Sequence, residues 1–365
     1  MEIAILNWPM TRLDPARCGG VERVALSIRE SLERRGVEAT LTVAGFDGGG
    51  KPAWLDVVRD TRVLRRLTFP LYYRRFLRRH GGAQVLHGHN APLLAALAPE
   101  RTLVWFGNEV RLDLFRVWEG RYRRARYAFD SAFLLRKFRE AYPSIPEERC
   151  FLLSNAVDTG LFRPGEREGG SPRRALFVGQ WNVAKGIDLL LASARIAHRR
   201  GARWELLLAG SPRLWGSRTD EPEAARIEAA VAACAREVPT LKVVGPVDYA
   251  DLPALYRRAD LCVVPSVWDD PAPSVALQAM AAGLPVVAFR RGGLPGIIGD
   301  GETGVLCGSE TPEALDAAVD RLLGDDGALR RMGENARARA VERFSWEAHM
   351  EALMAIYARI LEGGA

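Results

Sequence analysis

Short apolar runs alternate with helix-length amphipathic segments along almost the whole chain, and this rhythm restricts the fold more than any other feature. Such alternation reads as successive strand–helix–strand units, which build parallel sheets covered by helices. The first half shows EIAIL (2–6), a helix VERVALSIRESLERRG (21–36) stopped by Gly36, EATLTVAG, AQVLHGH (83–89), RTLVWFG (101–107) and RCFLLSN (149–155). At 163–173 the stretch RPGEREGGSPR has no apolar period and is rich in glycine, proline and charge, which marks a linker. The rhythm then restarts with RRALFVG, the helix GIDLLLASARIAHRRG, WELLLAG, LKVVG, the helix ADLPALYRRA and LCVVP, and continues to GVLCG. A chain of 365 residues also exceeds what one core usually supports. The expected architecture is therefore α/β, with two open parallel-sheet domains at 1–165 and 166–345. They are expected to face each other across a cleft at the carboxyl ends of their strands, where open sheets take ligands. The last helix, WEAHMEALMAIYARILE (346–362) within 346–365, is expected to pack back on the first domain.

Apolar content of 48% with 26% charged residues is that of an ordinary globular protein. No apolar run reaches the roughly 18–20 residues that span a bilayer. MEIAILNWPM has neither the basic leader nor the long apolar core of a signal peptide, so a cytoplasmic protein is expected. The five cysteines, at 18, 150, 234, 262 and 307, are scattered without a CxxC pair and read as reduced thiols. Of the five histidines only His87 and His89 are close. Two residues apart on a strand, they are expected to point to opposite faces, which argues against a shared metal.

The net charge of +6 is uneven. Through residue 165 there are 27 Lys/Arg against 18 Asp/Glu, and the totals of 51 and 45 leave 24 against 27 beyond it. Within the basic half, residues 72–79 sort on a helical wheel. Arg74, Arg75, Arg78 and Arg79 fall on one side, and Tyr72, Tyr73, Phe76 and Leu77 on the other. This is either an ordinary surface helix or a contact for an anionic membrane, with peripheral attachment to its inner face. RYRRARYAF (121–129) adds basic and aromatic residues, and no nucleic-acid recognition module is visible.

Three loops carry groups suited to phosphate. ARCGGVERV puts Gly19 and Gly20 between the first strand and first helix, where backbone N–H groups suit an anion or simply make a tight turn; it is not a GxGxxG. GQWNVAKG (179–186) places Lys185 at the start of a helix, against the dipole, a conflict that an anionic ligand would relieve, with plain solvation at the surface as the alternative. VWDDPAPSVALQ carries Asp269 and Asp270 before a helix that begins near Pro273–Ser274. Free N–H groups at Val275 and Ala276 are expected to suit a further phosphate, with Gln278 one turn inside the helix. A capped helix with incidental acids is the plainer account.

In order, CGGVERVALSIRESLERRG, LLSNAVDTGLFRPG, LFVGQWNVAKGIDLLLASA, LYRRADLCVVPS and DDPAPSVALQAMAAGLPVVAFRRGGLPGIIGDGETGVL resemble the motifs of retaining, GT-B-type glycosyltransferases of family 4, across nearly the whole chain. The resemblance implies two Rossmann-like domains and a nucleotide-diphosphate-sugar donor held mainly by the second. It implies hexose transfer with retention and without a metal or other cofactor, to a glycan, lipid-linked or natural-product acceptor on the first domain. By the same resemblance Lys185 holds the diphosphate, the backbone of Ser274, Val275 and Ala276 caps it, and Asp270 contacts the transferred sugar. Gln278 takes the ribose, Pro246–Asp248 lie by the base, and Gly19, Gly20, Gln180 and Gly210 line the donor. Four positions depart from the pattern. Gln180 replaces an arginine, Gln278 and Gly296 replace glutamates, and Gly107 stands where many members carry a histidine. His89, Asn108 or Glu109 is expected to supply the missing contact. The alternatives are a catalytically weakened relative acting as a binding or regulatory partner, and a nucleotide-sugar epimerase.

Overall fold

The computed structural model describes residues 1–8, 12–13, 20–47, 51–57, 65–107, 119–165, 172–214 and 219–363. The chain divides into two compact units, Met1–Asn155 with Glu347–Ala365, and Ala156–Trp346. The division precedes the Gly/Pro-rich linker stretch, for a packing reason. Val157 N–H donates to Phe344 O at 2.8 Å, and Phe162 is fully buried in the second unit's core.

The first unit contains β1 (Glu2–Leu6), β2 (Arg12–Leu13), β3 (Glu38–Val43), β4 (Gly45–Phe46), β5 (Leu55–Val57), β6 (Val85–His89), β7 (Thr102–Phe106), β8 (Arg126–Phe129) and β9 (Cys150–Leu152). Its helices are α1 (Gly20–Arg34), α2 (Arg65–Arg79), α3 (Leu93–Leu97), α4 (Glu119–Tyr122) and α5 (Ala132–Ala141). Seven strands form one parallel sheet in the order β5-β3-β1-β6-β7-β8-β9, while β2 and β4 pair separately. The central strands β1, β6, β7 and β8 are buried almost throughout, as expected of parallel strands covered on both faces. The chain runs outward from β1 through β3 and β5, then returns to β1's other side as β6, which makes β1/β6 the switch point.

Helix α2 settles part of the basic-helix question. Tyr72, Tyr73 and Phe76 are buried in the core against β1 and β6–β8, so its aromatic side is not available to lipid. Arg74, Arg75, Arg78 and Arg79 are exposed, and Arg79 pairs with Asp56 at 2.5 Å.

The second unit contains β10 (Arg174–Gln180), β11 (Glu205–Ser211), β12 (Leu241–Gly245), β13 (Leu261–Val264), β14 (Val286–Phe289) and β15 (Gly304–Cys307), all parallel in the order β12-β11-β10-β13-β14-β15. Its helices are α6 (Ile187–Arg199), α7 (Glu221–Glu237), α8 (Leu252–Arg257), α9 (Ser274–Ala281), α10 (Leu294–Ile297), α11 (Pro312–Leu323) and α12 (Asp326–Phe344). Period-two alternation sorts the core: Phe177, Leu208 and Val263 face α6, α7 and α11, while Leu176, Leu207 and Cys262 face α8, α9 and α12. Here the switch point is β10/β13.

The final helix, α13 (Trp346–Glu362), packs on the first unit. Tyr357 OH lies 2.6 Å from His87 Nδ1, His349 Nδ1 donates to Ser154 O at 2.7 Å, and Arg126 donates to Arg359 O at 2.7 Å. The rings of His87 and His89 stack with centroids 4.9 Å apart. The expectation of opposite faces was therefore wrong: a strand's side chains alternate with period two, so residues 87 and 89 share a face.

Burial penalises the imidazolium form, so His87 is pushed down to about 3 and His349 to about 4, and His89 lies well below its ordinary value. In the unfolded chain each ring titrates near ~6.5. As pH falls through that value the unfolded state binds protons that the folded state refuses. The rings' contribution is thus complete above the unfolded pKa and lost below it, by up to about 1.4 kcal/mol per pH unit per histidine. Calorimetry is expected to show the first unit's melting temperature falling between about pH 7 and about pH 5, with a shallower fall in His89→Leu. An unchanged melting temperature across that range would contradict this account.

Candidate functional site

The second unit's switch point gathers the chemically active side chains. After β10, Asn182 Oδ1 accepts from Lys185 N–H at 2.8 Å and caps a single 3₁₀ turn, Val183–Lys185. Gly186 then turns the chain into α6 at φ +75°, and a Cβ there would lie 1.8 Å from Pro265 O. Only glycine permits so close an approach. The loop leaving β13 is bound to the same turn, with Val267 N–H donating to Ala184 O at 3.0 Å. Lys185 thereby comes within reach of residues 267–270.

Lys185 Nζ donates to Asp270 Oδ2, and the ammonium also lies 5.5 Å from the centre of the Trp268 ring. The two charged side chains are 30% and 12% exposed, so the pair is sheltered but reachable. Lys185 sits in the turn before α6, not in its first turn, and the Asp270 carboxylate neutralises it. Asp269 is drawn the other way, towards Arg291 at 3.6 Å. The Asp270 backbone is fixed from both sides. Its N–H donates to Trp268 O and its carbonyl accepts from Gly293 N–H, each at 2.8 Å. Gly292, at φ +51°, leaves room for it where a Cβ would lie 2.3 Å from Asp270 O.

Helix α9 starts after Pro273 with no side-chain cap, and Ser274 is exposed. The amides of Ser274 and Val275 have no intrahelical acceptor at these first two positions. Ala276 does not match its expectation of a free N–H, because that group donates to Pro273 O at 3.0 Å. Gln278 is buried, and Tyr256 OH donates to its Oε1 at 3.0 Å. Burial raises the Tyr256 phenol well above its ordinary value, so it remains a donor. Gln278 is therefore left with its Nε2 amide for other partners.

The remaining expected donor residues lie along the carboxyl edge of the same sheet. Gln180 ends β10 and donates to Thr219 Oγ1 at 2.8 Å. Gly210, near the end of β11, has φ +132°, and a Cβ there would lie 1.8 Å from Gly179 O. Pro246 follows β12 and is exposed. Gly296 in α10 has open space for a Cβ, so no steric conflict explains the missing glutamate.

In the first unit Gly20 opens α1, while Gly19 and the two polar candidates Asn108 and Glu109 lie outside the described residues. His89, expected as a substrate contact, is fully buried, packed between His87 and Trp105 with ring centroids 4.9 and 4.6 Å away. Gly107 is not simply a vacant histidine position. A Cβ there would lie 2.7 Å from Trp105 Cη2, so the indole fills the space a side chain would need. Among the described residues no group of three or more His, Cys, Asp or Glu is placed to hold a metal ion. No helix among them is long and apolar enough to cross a membrane. Sequence reasoning missed Trp268, Tyr256 and Gly292, although each lies in or beside a stretch singled out for other residues.

Residues 159–339 match the family model described as Glycosyl transferases group 1, and residues 18–161 match Glycosyltransferase Family 4. The chain belongs to glycosyltransferase family 4. The D-inositol 3-phosphate glycosyltransferase of Segniliparus rotundus is 35% identical over 232 residues, covering 61% of this family 4 chain and 50% of that protein. The protein of the same name from Mycobacterium tuberculosis is 37% identical over 224 residues, covering 58% and 44%. The chain thus spans about half the length of the curated relatives it matches. Among solved structures, sucrose-phosphate synthase from Thermosynechococcus elongatus matches with a TM-score of 0.77 at 21% identity, over 99% of this chain and 100% of that one. Anabaena HepE in complex with UDP matches with a TM-score of 0.77 at 17% identity, over 98% and 100%. These likenesses show the fold of this family 4 chain, GT-B with two parallel-sheet α/β domains.

Proposed function

We propose that this glycosyltransferase moves a hexose from a nucleotide-diphosphate sugar to an acceptor hydroxyl, with retention and without a metal. The observation that carries the reading is Lys185 at the β10/β13 switch point, on a loop tied to the one that leads into α9. A cation and a helix N-terminus suit a diphosphate, and they stabilise the charge that develops as it leaves. Asp270 accepts hydrogen bonds from the sugar hydroxyls, and Gln278 Nε2 donates to a ribose oxygen. Gln180 and Gly210 line the donor, and Pro246 lies by the base. The acceptor oxygen attacks the anomeric carbon on the face that the diphosphate leaves, and a leaving phosphate oxygen takes its proton.

HepE has been solved with UDP and with UDP-glucose, which supports a nucleotide-sugar donor. The curated relatives' printed names and the basic first half favour an acceptor that carries phosphate as well as hydroxyls. An anionic acceptor, lipid-linked or free, also suits the exposed arginines of α2. The test is nucleoside diphosphate release from a panel of nucleotide sugars, with inositol phosphate and lipid-linked glycans as acceptors and NMR of the product's anomeric configuration. Acceptor-dependent release with retention is expected. Binding without release would favour a regulatory partner, and turnover of the donor alone would favour an epimerase.

A further inference from the structure

We propose that Asp270 is an internal competitor for the Lys185 cation and that it expels the spent nucleoside diphosphate. The proposal rests on the donor reading above and extends it to product release. The Asp270 carboxylate holds the Lys185 ammonium, so a phosphate that binds this cation must compete with the carboxylate. The neighbouring Asp269 does not share this task, being directed to Arg291, which also binds Glu310. The Asp270 backbone cannot swing clear, because Gly293 and Trp268 bond it on both sides and Gly292 packs directly against it. Side-chain rotation alone decides whether the carboxylate sits on Lys185 or beside it.

An arriving diphosphate therefore displaces the carboxylate and leaves it close to new negative charge. A charge deprived of its partner in a sheltered site is costly unless other donors replace that partner. An intact nucleotide sugar brings them, since its hydroxyls donate to the rotated carboxylate. A bare nucleoside diphosphate brings none. Once the sugar has gone to the acceptor, Asp270 has no partner until it returns to Lys185, and that return weakens the hold on the product. The same carboxylate thus favours substrate over product.

The experiment compares the full-length wild type with Asp270→Asn, measuring affinity for UDP, GDP and ADP by calorimetry and dissociation rate by stopped flow. Asp270→Asn removes the competitor but keeps the shape. It is expected to bind the diphosphate about tenfold tighter and to release it correspondingly more slowly, without a gain for the intact nucleotide sugar. Asp270→Ser is a second neutral variant should the first fold poorly. Asp269→Asn, whose partner is Arg291, is expected to leave diphosphate affinity unchanged. If a wild type that binds one of these diphosphates shows equal or tighter binding than both neutral variants, this proposal is overturned and the donor reading stands. If the wild type binds none of the three, both fall together.

Discussion

Lys185→Met is expected to lower kcat/KM for the nucleotide sugar by about a hundredfold to a thousandfold, the range for removing one group that meets developing anionic charge. Methionine keeps much of the length and the contact with the Trp268 ring, so the change removes charge more than packing. Two effects act in the same direction. The diphosphate loses its cation in the ground state and in the transition state. Asp270 loses its partner too, and its carboxylate then repels any phosphate that enters. Steady-state kinetics with nucleoside diphosphate release as the readout checks this. A loss smaller than about fivefold would remove Lys185 from the reaction.

Gly186→Ala is expected to have the largest effect on folding. Its Cβ would lie 1.8 Å from Pro265 O, and φ is +75°, so the turn after β10 and the strand exit after β13 cannot both stay in place. Gly201 makes a close comparison, with φ +78° but nothing within 4 Å of a Cβ. Gly201→Ala should carry only the left-handed backbone penalty, about 1–2 kcal/mol. Gly186→Ala adds the clash and is expected to cost the second unit more than about 3 kcal/mol, with activity lost as the Lys185–Asp270 geometry fails. Urea denaturation of both variants separates the two contributions. Equal losses would mean that the clash relaxes freely.

The architecture was legible because strand and helix periods alternate so regularly. Buried parallel strands such as EIAIL and LCVV have few other uses, and Gly36 stops α1 where the pattern ends. The positions of Lys185 and Asp270 were legible as loops at strand ends. What they do to each other was not, because residues 85 apart in sequence are joined by a contact that only the folded loops create. Two errors have local causes. His87 and His89 share a face because strand alternation has period two, and Ala276 spends its N–H on Pro273 in the first turn of α9. The role of Tyr256 was hidden because its hydrogen bond to Gln278 links α8 to α9. Gly107 read as a missing histidine, whereas its surroundings depend on where the Trp105 indole lies.

The most direct test of the donor site is thermal unfolding of the full-length wild type and Lys185→Met with UDP, GDP, ADP and their sugars. At about 100 times its dissociation constant, a true ligand adds about 2.7 kcal/mol to stability. The site described here predicts that at least one diphosphate or its sugar stabilises the wild type by that amount and that Lys185→Met loses most of the shift. No shift with any ligand in the wild type, or an undiminished shift in Lys185→Met, would contradict it.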